Sequence, residues 1–153
     1  MKEQNPDFFG WISIEGTELN YSVMHTPKDE EYYLRRDFNG EDSQSGVPFL
    51  SASCYEGCGN YLIYGHNMKN GSMFATLLAY ADRDFWGQHP SIRFYQYTDL
   101  CDPDIFTEYM EQVQEAALYD TGINAKHGDS LLTLSTCSYH TKNGRFVVVA
   151  RGM

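Results

Sequence analysis

The chain has 153 residues, which is enough for one domain that buries a sizeable hydrophobic core. Its 42% of hydrophobic and 15% of aromatic residues indicate a folded globular protein rather than a disordered chain. With 11 basic and 21 acidic residues the net charge is −10, which argues against binding nucleic acid or an anionic membrane through a broad basic face. No apolar run approaches the roughly 20 residues that span a bilayer, and the first residues do not resemble a signal sequence.

Short segments of alternating polar and apolar residues predict a β-rich fold. Segments 11–14 and 19–23 alternate with period two on either side of Glu15-Gly16, which predicts a β-hairpin. Further short apolar segments predict strands at 47–50, 61–64, 92–95, 131–134 and 146–149. Many short strands separated by turn residues favour a barrel or a sandwich.

Two helices are predicted between these strands. Ser72 is a candidate N-cap for a helix over about 73–80, and Asp102-Pro103 begins an acidic helix over about 103–118. The apolar face of the second helix consists of Phe106, Tyr109, Met110, Val113 and Ala117. Its acidic residues are typical of a solvated helix surface. Since no internal repeat or linker-like stretch interrupts the chain, a single domain over 1–153 is predicted.

A cysteine and an arginine stand at the ends of two consecutive predicted strands. Cys137 ends the apolar strand that begins at Leu131, and Arg145 begins the next strand eight positions later. A buried structural thiol is the ordinary interpretation of a lone cysteine. A thiol at a strand end can instead act as a nucleophile, because a fixed cation nearby favours the thiolate and donates hydrogen bonds to an oxyanion.

Nucleophilic catalysis by Cys137 requires a base, and histidine is the residue type that titrates near neutral pH. The histidines stand at positions 25, 66, 89, 127 and 140. His66 follows an apolar strand and Gly65, whereas His140 lies in a polar loop three residues after Cys137. We predict that His66 is the base and that His140 is its closest rival. The other three are predicted to be surface or packing residues.

Three segments carry the candidate base, nucleophile and cation: Tyr-Gly-His-Asn-Met at 64–68, Thr-Leu-Ser-Thr-Cys at 133–137 and Gly-Arg-Phe-Val-Val at 144–148. They resemble the His, Cys and Arg motifs of sortases, the transpeptidases that anchor proteins to Gram-positive cell walls. Segments 5–12, 32–34 and 71–74 resemble class B sortases in particular. The resemblance runs in order over nearly the whole chain.

The resemblance implies a sortase-type cysteine transpeptidase, which is both a peptidase and an acyl transferase. Cys137 would attack the threonine carbonyl of a C-terminal sorting motif and form a thioacyl-enzyme, which an amine of a peptidoglycan precursor or pilin then resolves. His66 would protonate the leaving amine and later deprotonate the incoming one. Arg145 would hydrogen-bond the substrate carbonyl or the oxyanion.

Three neighbouring residues are implied as substrate-binding or supporting groups. Thr136 would line the site through its backbone or hydroxyl, Ser135 occupies a motif position that varies among sortases, and Asn67 would orient the loop after the histidine. No metal and no organic cofactor is expected, since the thiol supplies both nucleophile and leaving group. The expected partners are the sorting-motif peptide of a secreted surface protein and the accepting amine, without nucleic acid.

The implied fold is mainly β, a sortase-like closed or partly open β-barrel with peripheral helices. The native protein would act at the extracellular face of the cell membrane of a Gram-positive bacterium, held by an N-terminal segment that this sequence lacks, so the chain itself is expected to be soluble. Class B sortases usually carry another strand before the long helix, whereas this chain passes from Tyr97 to Pro103 within a few residues. A missing strand would leave an open sheet edge.

Two other functional classes fit parts of the sequence. A catalytically silent sortase-like binding domain is consistent with the missing strand. Cys54 and Cys58 have a spacing found in zinc sites, but no matching pair of cysteines or histidines follows at the expected distance. A disulfide or two free thiols are the other interpretations of this pair. The remaining cysteines are Cys101 and Cys137, and if Cys137 is catalytic, any pairing of the others leaves one over.

Overall fold

In the computed structural model the chain forms one curled β-sheet with short helices beside it. The structure describes residues 1–55, 57–95, 103–126, 128–139 and 144–152. All seven predicted strands are present, and the prediction of a mainly β fold is confirmed. The strands are β1 (Phe8–Ser13), β2 (Asn20–Met24), β3 (Phe49–Leu50), β4 (Asn60–Tyr64), β5 (Arg93–Tyr95), β6 (Leu131–Ser138) and β7 (Gly144–Arg151).

The strands lie in the order β5-β1-β2-β3-β4-β6-β7. The pairs β2–β3 and β4–β6 are parallel, and the other neighbours are antiparallel. The outer strands are β5 and β7, and within the described ranges each pairs on one side. For these residues the sheet is therefore an open half-barrel, the partly open form of the predicted barrel.

One face of the sheet holds the main hydrophobic core. Ile12, Ile63 and Leu134 are fully buried there, and Phe74 and Leu77 from a neighbouring helix pack into the same cluster. Burial of each such side chain stabilises the fold by about 1.5–3 kcal/mol. Successive residues of a strand point to opposite faces, so this core decides which residues of β4 and β6 lie on the other face.

The first predicted helix is present but begins differently. It is a 3₁₀ helix (Phe74–Ala81) whose N-cap position is Met73, without a side-chain capping bond. Ser72 is not the cap, because its hydroxyl donates to Asn70 Oδ1 at 2.7 Å and its amide donates to the same oxygen at 3.1 Å. The capping prediction is therefore wrong, since a local turn uses the serine instead.

Two short helical segments are absent from the sequence prediction. One is a 3₁₀ helix (Tyr32–Arg35), and the other is α1 (Arg83–Gln88). Asp82 caps α1 by accepting a hydrogen bond from the Asp84 amide at 2.8 Å. Segments of this length contain too few residues for the periodicity of apolar positions to be recognised.

The second predicted helix is α2 (Pro103–Ala116). It ends two residues earlier than predicted, so Ala117 lies beyond it and is exposed, whereas Met110 and Val113 are half-buried. The shortened stretch predicted between Tyr97 and Pro103 lies outside the described residues and stays a prediction. Among the helices that the structure describes, none has the length and apolar character needed to cross a bilayer.

Candidate active site

Cys137 and Arg145 lie side by side at one end of the sheet. They are directly opposite each other in the antiparallel pair β6–β7, which places their side chains on the same face. Arg145 Nη1 lies 3.8 Å from Cys137 Sγ. Cys137 is a half-buried free thiol and Arg145 is exposed. A cation with N–H donors therefore stands beside the sulfur where a substrate can approach from solvent.

His66 reaches the same end of the sheet because β4 runs parallel to β6, with pairing that extends to Ser135. Just beyond this pairing, the Gly65 amide donates to the Ser135 carbonyl at 3.1 Å. Thr136 Oγ1 donates to the Gly65 carbonyl at 2.8 Å. The backbone immediately before His66 is thus fixed to the two residues that precede Cys137.

The residue after His66 is bonded to the backbone of the candidate nucleophile. Asn67 Nδ2 donates to the Cys137 carbonyl at 3.0 Å, and Tyr139 Oη donates to the Asn67 carbonyl at 2.8 Å. Asn67 is only 8% exposed, so water has little access to replace the first bond. These contacts support the predicted role of Asn67 in orienting the loop after the histidine.

The glycine that precedes His66 is required by packing. A Cβ on Gly65 would lie 2.5 Å from the ring of Phe74, a residue that is fully buried. The Phe74 amide also donates to the His66 carbonyl at 2.8 Å. The 3₁₀ helix that begins at Phe74 therefore packs directly against the Gly-His segment and fixes its backbone.

The imidazole of His66 is held in one tautomer. Its Nε2 lies 2.9 Å from the carbonyl of Leu34, and because a carbonyl only accepts, Nε2 carries the proton. In the neutral ring, Nδ1 is then the nitrogen available for proton exchange with a substrate. Gly46, whose φ is +58°, lies against this carbonyl, where a Cβ would approach Leu34 O to 2.5 Å.

Two contacts of the site are missed by sequence reasoning. The Tyr64 ring centroid lies 5.9 Å from Arg145 Cζ, within the range of a cation–π interaction. The signal for Tyr64 was its place directly before Gly65 in the histidine motif. Leu34 gives no such signal, because it acts through a backbone carbonyl that every residue type has.

Thr136 and Ser135 lie on opposite faces of β6. Thr136 is fully buried with its hydroxyl bonded to Gly65, so it would contact a substrate through its backbone, one of the two routes predicted for it. Ser135 lies on the same face as Cys137 but is 5% exposed, which leaves little of its surface open to a substrate.

His89 and His25 make contacts elsewhere, in agreement with the prediction that they are surface or packing residues. His89 Nδ1 lies 2.9 Å from the Glu15 carbonyl. His25 packs edge-on against Phe9 with ring centroids 5.5 Å apart, and burial lowers its pKa. His127 and His140 lie outside the described residues, so the preference for His66 over His140 stays a prediction.

In the part of the chain that the structure describes, no group of three or more His, Cys, Asp or Glu side chains is close enough to hold a metal ion. Cys54 and Cys58 are free thiols in the structure, which agrees with the interpretation of this pair as two thiols rather than a disulfide.

The sequence is similar to known sortases over almost its whole length. The Sortase domain family model matches residues 12–153. Sortase B of Listeria monocytogenes is 29% identical over an alignment of 177 positions that covers 97% of this chain and 70% of the relative. Sortase B of Staphylococcus aureus is 26% identical, and the alignment covers 99% of this chain and 72% of the relative. Both alignments are longer than this chain, so both relatives contain residues without a counterpart here.

Solved structures agree with the sequence comparison. Sortase B from Bacillus anthracis in complex with AAEK1 is 32% identical with a TM-score of 0.85, covering 98% of this chain and 80% of its own. Clostridium perfringens sortase B is 29% identical with a TM-score of 0.86, and the match covers 98% of this chain and 96% of that protein. The matched relatives are sortases of Gram-positive bacteria, which act on proteins that carry a sorting motif. The chain thus belongs to the sortase family and, like its class B relatives, is a cysteine transpeptidase.

Proposed function

We propose that this sortase cleaves a C-terminal sorting motif after its threonine and joins the released protein to an amine of a peptidoglycan precursor or of a pilin. The observation that carries the proposal is the convergence of three chain segments at one strand end. Cys137 lies opposite Arg145, and His66 is tied to the same end through Gly65 and Asn67.

In the first half of the reaction, the Cys137 thiol passes its proton to His66 Nδ1, and Sγ forms a bond to the threonine carbonyl carbon. The carbonyl oxygen becomes an oxyanion, which the N–H groups of Arg145 stabilise by hydrogen bonding. When the tetrahedral species collapses, the C–N bond of the peptide breaks. The leaving amine takes a proton from His66, and the acyl group remains on sulfur as a thioester.

In the second half, the acceptor amine attacks the thioester and loses a proton to His66 Nδ1. The Cys137 sulfur leaves and takes this proton from His66, and a new amide bond joins the threonine to the acceptor. Because Nε2 of the ring stays bonded to the Leu34 carbonyl, the same nitrogen serves both proton transfers. One fixed imidazole orientation is therefore sufficient for the full cycle.

The substrate would lie along the face of the sheet that carries Cys137. Tyr64 and Val147 are the neighbours of Ser135 on the strands to either side of β6. Val147 is 47% exposed, and it offers an apolar surface beside the nucleophile. An extended peptide of the Asn/Ser-Pro-x-Thr-Gly/Asn type suggested by the class B resemblance would contact this surface.

The proposed place of action is the extracellular face of a Gram-positive cell membrane. The matched relatives come from Gram-positive bacteria, and sorting motifs belong to secreted proteins. An accepting amine on a cell-wall precursor or a pilin is available on that side of the membrane.

The test is peptide cleavage profiling of the wild type beside Cys137→Ala, with and without an acceptor amine. We expect cleavage after threonine in the wild type alone, and a product heavier by the mass of the acceptor when a stem-peptide or pilin lysine amine is present. Turnover by Cys137→Ala would contradict the nucleophile assignment. A folded wild type that a thiol-reactive peptide analogue fails to label would instead favour the silent binding domain.

A further inference from the structure

A second pair of thiols lies beside the beginning of β4, away from the proposed nucleophile. The sulfurs of Cys54 and Cys58 lie 3.6 Å and 3.3 Å from the same acceptor, the carbonyl oxygen of Asn60. This shared acceptor places the two sulfurs close to each other. The Leu62 amide donates to Cys54 Sγ at 3.3 Å, which fixes the position of that sulfur.

A tight turn brings the two cysteines together. The Cys58 amide donates to the Tyr55 carbonyl at 3.0 Å, and Gly57 has φ of +90°, a backbone conformation that glycine adopts without strain. Tyr61 Oη accepts a hydrogen bond from the Gly57 amide at 2.8 Å. The turn is thus anchored to β4, so the thiols meet because of the fold rather than by chance approach of a loose loop.

The two thiols differ in access and in acidity. Cys54 is 5% exposed, whereas Cys58 is half-buried and open to a reagent. The neighbouring Cys54 thiol, with backbone hydrogen bonds, lowers the pKa of the Cys58 thiol to about 6. The neighbouring Cys58 thiol, together with burial, raises the pKa of the Cys54 thiol. This asymmetry suits an attacking thiol and a protected resolving thiol.

We propose that Cys54 and Cys58 form a redox-active pair that closes to a disulfide by exchange with an external organic disulfide. The Cys58 thiolate attacks one sulfur of the external disulfide, forms a mixed disulfide and expels the first thiolate, which takes up the proton lost by Cys58. Cys54 then attacks the Cys58 sulfur, and the second thiolate leaves with the proton of Cys54. Two protein thiols are oxidised, and one external disulfide is reduced to two thiols.

The consequence for the molecule is a reversible covalent staple at the beginning of the strand that leads to His66. The disulfide would join the two ends of the 54–58 turn, next to the Asn60 carbonyl that both thiols contact. Because Cys137 lies at the far end of the neighbouring strand β6, this modification is chemically separate from the transpeptidation thiol.

The sequence allows the pair to be followed separately from the other cysteines. Trypsin cleaves after Arg36 and Lys69 and leaves Cys54 and Cys58 together in peptide 37–69, while the other two cysteines fall in peptides 94–126 and 127–142. The folded wild-type protein is incubated with oxidised glutathione, its remaining thiols are blocked with N-ethylmaleimide, and the digest is analysed by mass spectrometry. We expect peptide 37–69 to carry no N-ethylmaleimide and to be about 2 Da lighter than its reduced form. Dithiothreitol should restore the mass of the reduced form.

Two single variants test the assigned order of attack. Cys54→Ser should stop at a stable mixed disulfide on Cys58, about 305 Da heavier by one glutathione, because the resolving thiol is absent. Cys58→Ser should leave the buried Cys54 unmodified. The proposal is overturned if peptide 37–69 keeps two maleimide groups at excess oxidised glutathione, or if its thiols link to another peptide. Equal reaction of the two variants would overturn the assignment of Cys58 as the attacking thiol. The wild-type result decides the main point even if a variant fails to fold.

Discussion

The side-chain amide of Asn67 donates a 3.0 Å hydrogen bond to the backbone carbonyl of Cys137, across a sequence separation of 70 residues. Asn67→Ala breaks this bond and leaves the carbonyl without that partner. We expect the free energy of unfolding to fall by about 1–3 kcal/mol. We also expect kcat to fall more than KM rises, because the nucleophile loses its fixed position while the substrate surface remains.

Urea unfolding and peptide cleavage measure the two effects of Asn67→Ala. Asn39→Ala is the matched control, because Asn39 is an exposed asparagine in a loop away from β6. A variant with the expected loss of stability but unchanged kcat would show that the Asn67 bond maintains the fold without positioning Cys137.

Removal of the candidate base should be far more damaging than removal of any other histidine. His66→Ala is expected to lower kcat/KM by about 10²–10⁴-fold, because proton transfer contributes that much in enzymes of this kind. His89→Ala is the matched control, since its ring contacts the Glu15 carbonyl. His140→Ala should also retain most of its activity. If peptide cleavage ranks His140→Ala below His66→Ala, the base has been assigned to the wrong histidine.

The geometry of Arg145 can be separated from its charge. Arg145→Lys should lose nearly as much activity as Arg145→Ala, because lysine keeps the charge but lacks the planar pair of N–H donors. Arg151→Lys at the other end of β7 is the matched control, where Arg151 Nη1 donates to the Asn124 carbonyl at 3.1 Å. Rescue of most of the rate by lysine at 145 would mean that a point charge is sufficient there.

The stability of the fold should depend on pH through His25. Burial lowers the pKa of His25 below its ordinary 6.5, and its Nε2 is a buried nitrogen without a hydrogen-bond partner. As the pH falls below 6.5, the unfolded chain binds a proton at this residue before the folded chain does, so the folded state loses stability.

We therefore expect Tm of the wild type to fall between pH 7.5 and pH 5.5 more steeply than Tm of His25→Phe, which keeps the ring packing against Phe9. Thermal unfolding followed by circular dichroism at several pH values measures the two slopes. Parallel curves for the two proteins would exclude His25 as the source of the pH dependence.

Period-two alternation predicted β1 because it depends on one face being buried, and that condition holds along this strand. β6 is buried on both faces from Leu131 to Thr136, which is why its sequence shows a continuous apolar segment instead. The three motif segments supplied the candidate residues, and the sheet brings those segments to one end, while the roles of Cys137, His66 and Arg145 stay predictions. The Ser72 cap could not be judged from the sequence, since the Ser72 hydroxyl can hydrogen-bond either a helix amide or the side chain of Asn70. The contact of His66 with the Leu34 carbonyl also had no sequence signature, because it depends on how a distant turn folds around Gly46.

The outer strand β7 begins near one exposed arginine and ends with another, Arg145 and Arg151. Its free side has no partner among the described residues, and such a strand is a template for pairing with the same strand of a second molecule. Two molecules joined edge to edge in this way would bring like charges together, and this repulsion opposes self-association. The cation proposed to stabilise the oxyanion would thus also oppose pairing at this edge, so neutralising Arg145 would favour self-association as well as lower turnover.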